Sequence, residues 1–467
     1  MKLFLDWTEY KDAGMGDAYA DIPKTGGDFA KAISVCINSR QCESKQKGVM
    51  CPSFRVTDNK DLSTGGRVQL LKTALNGQSD GETINDPLLE HALLTPTLKE
   101  AMDLCVACKG CKRECENSVD MAMIKIEYLA QTHQFKRLGI RTRLLANLSV
   151  MLNQGQVYKW MLYKLIQLRN RFSGLSRFSE KVLGLSAKRQ LPVPATFSFD
   201  HLRDGSIKAV ANSIDAIPVV DEVVLLIDTF TNHFCPENAE AAIRVLNSAG
   251  YLVHVVGGKL NGNGHLCCGR TQLANGLVKE AINKANRMID VLLPHVEAGR
   301  QIIGLEPACL LAIRDDYKFL GLGQTADKVA RHAILFEEFI AKEIQAKRFK
   351  PAFKPIVEEI PILVHGHCHQ KAVGAMKSMR KVLKLLPNQD FTFIESSCCG
   401  MAGSFGLEKE HAELSMKMAE DQLLPALREQ PNARIIANGF SCRHQIKEGA
   451  NRSSMHLALL LDQALLK

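Results

Sequence analysis

The sequence predicts an α+β multidomain chain: an α-helical cysteine-bearing domain over residues 1–135, a basic helical linker over 136–214, and two repeated α/β cysteine-rich domains over 215–350 and 351–467. Three observations predict it. The fifteen cysteines fall in two dense regions, seven from Cys36 to Cys115 and eight from Cys235 to Cys442, with none between 116 and 234. The stretch from Lys136 to Gln190 holds twelve Lys or Arg against one acid, Glu180, so it carries +11 in a chain whose net charge is +9. In the second cysteine region one pattern occurs twice. A length of 467 residues also calls for about three domains at ~150 residues each.

A composition of 46% hydrophobic and 23% charged residues suits a globular chain able to bury sizeable cores. The start, MKLFLDWTEYKDAG, offers one Lys and a short apolar patch before acids intervene, too little for a secretion signal. No run of ~18 apolar residues reads as a membrane span. The expected location is cytoplasmic, with peripheral contact at the inner face of the cell membrane as an open alternative. Thiols stay reduced there, so the cysteines need a purpose other than a disulfide framework.

The strongest local signal is LCVACKGCKREC, with Cys105, Cys108, Cys111 and Cys115 spaced C-x2-C-x2-C-x3-C. Three thiolates on one tight turn reach three corners of an iron–sulfur cubane, and the fourth points to a second cluster. A structural zinc site instead favours two well-separated C-x2-C pairs. The partner motif lies upstream, where Cys36, Ser39 and Cys42 occupy a C-x2-C-x2-C frame and Cys51-Pro52 follows after eight residues. Cross-ligation then predicts one [4Fe-4S] cluster on Cys105, Cys108, Cys111 and Cys51, and a second on Cys36, Cys42 and Cys115. The second lacks a fourth thiolate. It is left open as a [3Fe-4S] cluster, as a [4Fe-4S] cluster with Ser39 or another oxygen ligand, or as absent. Helical periodicity in LTPTLKEAMDLCVAC and VDMAMIKIEYLAQTHQF, with no strand pattern from 66 to 135, makes this an α-helical ferredoxin-like domain.

Beyond residue 215 the texture turns to β-α-β. EVVLLID reads as a buried strand, TNHFCPEN as a turn, AEAAIRVLNSAG as a helix and YLVHVVG as the next strand. PILVHGHCHQKAVG opens a second such unit. The first copy places Cys235, then Cys267-Cys268-Gly269 after 31 residues, then Cys309 after 40 more. The second places Cys368, then Cys398-Cys399-Gly400 after 29, then Cys442 after 42. Two copies of C…CCG…C mark an internal repeat. Its cysteines fall at the carboxyl ends of strands, where ligands collect in open α/β sheets. Three readings stand for each copy: a further cluster of unusual geometry, a redox-active thiol pair, or small buried core residues. His365, His367 and His369 alternate around Cys368. On a strand they would share one face opposite that thiol, as metal or proton-relay groups or as polar strand-end residues.

Taken together, CPSF, CKGCKREC, CCGR, LEPACL, HGHCHQKAV, CCGMAGSFG and NGFSCRHQI resemble the iron–sulfur region of FAD-linked oxidases of the D-2-hydroxyglutarate and D-lactate dehydrogenase type. The glycolate oxidase iron–sulfur subunit and the heterodisulfide reductase cysteine-rich subunit are more distant relatives. The resemblance runs from about residue 20 to the C-terminus and implies electron flow from a reduced flavin through clusters to a quinone or other carrier. No G-x-G-x-x-G follows a strand, so FAD is expected on a partner chain, an FAD-binding oxidase or dehydrogenase subunit. Departures exist. Cys115 is followed by Glu116 where relatives carry Cys-Pro. Cys309 and Cys442 lack the closing C-x2-C of heterodisulfide reductase, with Ala312 and Gln445 in those places. The alternative activity is a thiol–disulfide reductase of that type acting at the CCG motifs.

The linker mixes Leu, Met, Trp and Phe with its cations. Either its apolar face packs between the two cysteine-bearing halves, or it lies on an anionic bilayer near a quinone. No basic groove interleaved with aromatics points to nucleic acid.

Overall fold

The computed structural model describes residues 1–15, 21–44, 48–79, 82–83, 89–153, 156–200, 221–258, 266–354 and 360–466. The expected division between residues 214 and 215 lies outside them.

The N-terminal part is built on short helices. Cys51 adopts a left-handed φ of 52°, and Pro52 then opens the helix Pro52–Thr57, where its missing N–H costs nothing. Ser63 caps Thr64–Leu75 by accepting from the Gly66 N–H, and Asp120 caps Met121–Phe135 by accepting from the Met123 N–H. Buried Glu127 on that last helix accepts from the Leu5 N–H at 2.8 Å and from Trp7 Nε1 at 3.1 Å, which ties the chain's start to the domain. One expectation fails here. A small antiparallel ladder joins β1 (Gln78–Ser79) to β2 (Glu82–Thr83), two residues a side and too short for any periodicity to announce.

The duplicated pattern becomes a duplicated topology. In the first copy β3 (Asp221–Leu226) is flanked by β4 (Tyr251–Val256) and β5 (Gln301–Gly304), all parallel, and β6 (Ala333–Leu335) extends the sheet to the order β4-β3-β5-β6. In the second, β7 (Ile362–Val364) is flanked by β8 (Phe391–Phe393) and β9 (Arg434–Ile436) in the order β8-β7-β9. Each copy therefore starts in the middle, steps to one side, and crosses to the other. Cys235 and Cys368 follow the central strands, the CCG triplets follow β4 and β8, and Cys309 and Cys442 sit in the first turns of helices Pro307–Arg314 and Phe440–Ala450 after β5 and β9. All eight thiols thus cluster beyond strand carboxyl ends, as expected for an open parallel sheet.

The copies share one apolar core, in which Val223, Leu225 and Ile243 pack with Ile362, Val364, Val382 and Leu461. A second core joins the N-terminal helices to the first copy through Val68, Met102 and Ile124 with Val224 and Ile302. A third joins the N-terminal cysteine loop to the second copy, through Val49, Val106 and Cys108 with Cys368, Cys398 and Met418. The N-terminal domain is therefore seated on both copies at once.

The linker forms helices Ile140–Ala146, Leu148–Leu152, Gln156–Arg171 and Ser173–Leu183. The first two pack inward through Ala146 and Leu152, whereas the apolar face of the last two does not pack between the halves. Val157 (81%), Trp160 (59%), Leu165 (57%), Phe178 (64%) and Val182 (60%) are exposed, while Lys159 and Arg169 are buried. Arg169 can turn inward because the carbonyls of Ser186 and Arg189 accept from its guanidinium. No helix among the described residues is long and apolar enough to cross a membrane.

Candidate metal centres

Cys51, Cys105, Cys108 and Cys111 line one cavity, together with Arg67 and Lys109. Left-handed residues Ala107 (φ 46°) and Lys109 (φ 60°) wrap the loop around it. The loop also presses on the chain that brings Cys51: a Cβ on Gly110 would stand 2.9 Å from the Val49 carbonyl carbon, so only glycine fits. Glu114 holds that chain by accepting from the Val49 and Met50 N–H groups at 2.8 Å. N–H groups also point at sulfur, Thr64 to Cys51 Sγ at 3.1 Å and Gly110 to Cys108 Sγ at 3.4 Å. Burial pushes the Cys108 thiol up and Cys111 to about 12, so as free thiols they keep their protons. Four soft donors facing one cavity, with N–H groups aimed at sulfur, fit a [4Fe-4S] cluster held by Cys51, Cys105, Cys108 and Cys111.

The other N-terminal set is less closed. Cys36 and Cys115 are half-buried while Cys42 is buried, and burial, with lesser help from Cys115 and Cys42, pushes the Cys36 thiol up. Gly65 N–H donates to Cys42 Sγ at 3.2 Å. Cys42 and Cys51 act on one another, which pulls Cys42 down and, together with burial, holds the Cys51 proton up. Cys42 and Cys51 thus abut where the two predicted ligand sets meet. Ser39 is exposed. The Asn38 side-chain oxygen, by contrast, crowds the same face of Gly65 as Cys42 Sγ, at 3.8 and 3.4 Å from a Cβ placed there.

The repeats differ. In the second, Cys368, Cys398, Cys399 and Cys442 stand in a row, each buried thiol acting on the protonation of the next. In the first, Cys267, Cys268 and Cys309 form such a row, but Cys235 stands apart and accepts from Arg443 Nη2 at 3.3 Å. That arginine belongs to the second copy. Beside it Glu306, buried and pushed up to about 7 chiefly by burial, accepts from the Phe440 N–H at 2.8 Å. No disulfide joins any of the fifteen cysteines.

The histidines do not share a strand face. β7 ends at Val364, and a helix begins at Cys368 with His367 as its N-cap, because the His367 ring accepts from the His369 N–H at 3.1 Å. A side-chain cap, not strand alternation, sets their directions. His369 Nε2 donates to the Ala107 carbonyl at 3.1 Å, in the N-terminal cysteine loop, and His365 Nδ1 meets Ser396 Oγ at 3.0 Å.

Two groups escaped sequence reasoning. Lys109, inside the cysteine loop yet buried, pairs with Asp315 and Asp316 of the first repeat, and Arg270 Nη1 reaches Asp316 at 3.4 Å. Arg443 directly follows Cys442. In both cases the adjacent cysteine was the only available signal, because the partner lies far away in sequence.

Residues 32–119 match the family model of the 4Fe-4S dicluster domain, and residues 362–447 match that of the cysteine-rich domain. Fold, thiol sets and both matches define a chain built from iron–sulfur and cysteine-rich domains. Among individual proteins, the chain is similar to D-2-hydroxyglutarate dehydrogenase of Escherichia coli (strain K12), 24% identical over 432 residues that cover 85% of this chain and 40% of that protein. It is also similar to the glycolate oxidase iron-sulfur subunit of the same organism, 21% identical with 93% and 95% covered. To one subunit of the anaerobic glycerol-3-phosphate dehydrogenase, also from that organism, it is 25% identical with 60% and 70% covered. The resemblance expected from the motifs is thereby found. The chain spans about two-fifths of the length of the D-2-hydroxyglutarate dehydrogenases it matches.

Proposed function

We propose that this chain is the iron–sulfur electron-transfer subunit of a flavin-dependent 2-hydroxyacid dehydrogenase or oxidase, with D-lactate, glycolate or D-2-hydroxyglutarate as the substrate class. A partner FAD subunit oxidises the hydroxyacid. This chain takes the electrons and passes them to a quinone or another carrier. The observation that carries the reading is the burial of the four-thiol cavity directly against the second repeat: Cys108 shares a core cluster with Cys368 and Cys398. Such contact suits transfer between centres without solvent between them. When bound, the clusters supply one-electron redox chemistry. The protein's own part is to bury the thiols, aim N–H donors at sulfur and exclude water. A thiol–disulfide reductase would need thiols open to a bulky disulfide, whereas Cys398, Cys399 and Cys442 are 2%, 4% and 2% exposed.

The linker supports contact with a membrane surface. Val157, Trp160, Met161, Leu165 and Leu168 recur at helical spacing on one exposed face, and Leu175, Phe178 and Val182 continue it on the next helix. Lys164, Arg171, Arg177 and Lys181 are exposed on the same two helices. Apolar and cationic groups together suit an anionic bilayer. Flotation with vesicles containing anionic lipid should carry the wild-type chain upward and leave Trp160→Ser/Phe178→Ser behind; equal flotation removes this part of the proposal.

The main reading is tested by anaerobic pull-down from the native host with flavin and iron assayed in one eluate. Stoichiometric flavin with several irons per chain is expected. Abundant iron with no flavin partner would overturn it.

A further inference from the structure

We propose that Arg67 is the buried counter-charge of the N-terminal cluster, and that its guanidinium raises that cluster's reduction potential. The cavity formed by Cys51, Cys105, Cys108 and Cys111 is lined by two cationic residues, Arg67 and Lys109. Their surroundings differ. Lys109 belongs to a closed ion network: it pairs with Asp315 and Asp316, Lys112 pairs with Asp120 and Asp315, and Arg270 reaches Asp316. Three cations there meet three carboxylates, so Lys109 presents little net charge to the cavity.

Arg67 is 2% exposed, yet no carboxylate among the described residues pairs with it. Its donors go to neutral oxygens instead: Nε to the Ala101 carbonyl at 2.6 Å, Nη1 to the Leu62 carbonyl, and Nη2 to Ser53 Oγ at 2.9 Å. Three acceptors from separate segments fix the guanidinium plane, and the last lies two residues after Cys51. Lys125 also reaches only carbonyls, those of Cys105 at 2.6 Å and Asp103 at 3.3 Å, but it does not line the cavity.

A buried charge without a counter-charge is costly, and an arginine does not shed its proton. Four thiolates outweigh the charge of an iron–sulfide core, so the loaded cavity supplies the missing negative charge. The cation already favours the thiolate at Cys51, against Cys42 and burial, which hold that proton up. One electron from a reductant leaves the cluster one unit more negative, with no bond or proton exchanged. The fixed guanidinium stabilises that reduced form over the oxidised one. Two unit charges ~8 Å apart at an effective dielectric of ~20 shift such an equilibrium by about ten- to a hundredfold.

The test is a redox titration of the full chain, purified anaerobically, reduced stepwise with dithionite and followed by electron paramagnetic resonance. The signal missing from Cys108→Ser identifies the N-terminal cluster. Arg67→Gln should favour the oxidised form about ten- to a hundredfold more than wild type, a fall of ~60–120 mV at ~59 mV per tenfold. Arg67→Lys keeps the charge and should stay within about threefold of wild type. Should Arg67→Gln not fold, Ser53→Asp serves: it sets a carboxylate against Nη2 and should lower the potential with the arginine still present. A loaded Arg67→Gln or Ser53→Asp chain with the wild-type potential overturns the proposal, and so does an Arg67→Lys chain that falls as far as Arg67→Gln. Failure of all three to fold or to load a cluster assigns Arg67 to structure alone and overturns it too. The proposal rests on the N-terminal cluster and not on a flavoprotein partner. A wild-type chain with no signal that Cys108→Ser removes would overturn the cluster and this inference together, whereas an unmoved potential overturns this inference alone.

Discussion

The two cysteine-rich repeats lay their strands in the same order and place their thiols beyond the same strand ends, yet the thiols meet different neighbours. In the second repeat the leading cysteine, Cys368, stays in the thiol row and packs beside Cys108 of the N-terminal domain. In the first, Cys235 is drawn away by Arg443 of the other copy, while the row that remains lies under Tyr317, whose hydroxyl donates to the Cys268 carbonyl at 2.9 Å. The two copies share a strand order, and the strands of both build one common core. Their side-chain surroundings differ, because each copy packs against a different part of the chain.

The largest effect is expected at the N-terminal cavity. Cys108→Ser should bleach its cluster and abolish dye-linked electron transfer, whereas Cys267→Ser should leave that cluster's absorption intact. Retained turnover in Cys108→Ser breaks the assignment. Next, Cys368→Ser should alter the electron paramagnetic resonance signal of the reduced N-terminal cluster, and Cys235→Ser should not; identical spectra would erase the asymmetry between the copies.

The glycines of the two CCG triplets sharpen the comparison further. Gly269 and Gly400 have φ of +77° and +85°, so alanine at either costs roughly 1–2 kcal/mol of left-handed strain. A Cβ on Gly400 would also lie only 2.2 Å from the Ser415 carbonyl oxygen, against 3.1 Å from that of Ala281 at Gly269. Urea unfolding should therefore find Gly400→Ala less stable than Gly269→Ala by about 1–3 kcal/mol, the cost of overpacking. Equal losses would show that the second triplet relaxes as easily as the first.

The smallest effect concerns the contact between copies. Glu306 is pushed up to about 7 from an ordinary 4.5 by burial, so between those values the folded chain binds more protons than the unfolded one. Its contribution to stability is full below about pH 4.5 and is lost as pH rises through about 7. Glu306→Gln should remove this slope, a difference of at most ~3 kcal/mol across the window at ~1.4 kcal/mol per unit. Parallel stability profiles for the two proteins would mean that Glu306 titrates alike when folded and unfolded.

Much of the site could be read from the cysteines alone. C-x2-C-x2-C-x3-C predicted that Cys105, Cys108 and Cys111 gather with the distant Cys51, and the cavity gathers them. The C…CCG…C duplication predicted two parallel sheets with thiols beyond their strand ends, and both are present. The histidines misled, because alternation assumes a strand and β7 ends one residue before His365. The linker misled in another way: amphipathicity says that a helix has two faces, and cations normally take the outer one. Here Arg169 finds carbonyl acceptors inside, and the apolar face of the last two helices stays out.

By itself the sequence determined the ligand-bearing turns, the repeat and the succession of strand, cysteine turn and helix, since these follow from local spacing, backbone conformation and hydrophobic period. Only the tertiary structure decided which repeat adjoins the N-terminal cavity, that Lys109 is matched by Asp315 and Asp316, and that Arg443 reaches Cys235. Those contacts join residues 200 or more positions apart. Such pairs are selected by how whole sheets and helices dock, and docking follows the fit of buried surfaces, which no local pattern of residues encodes.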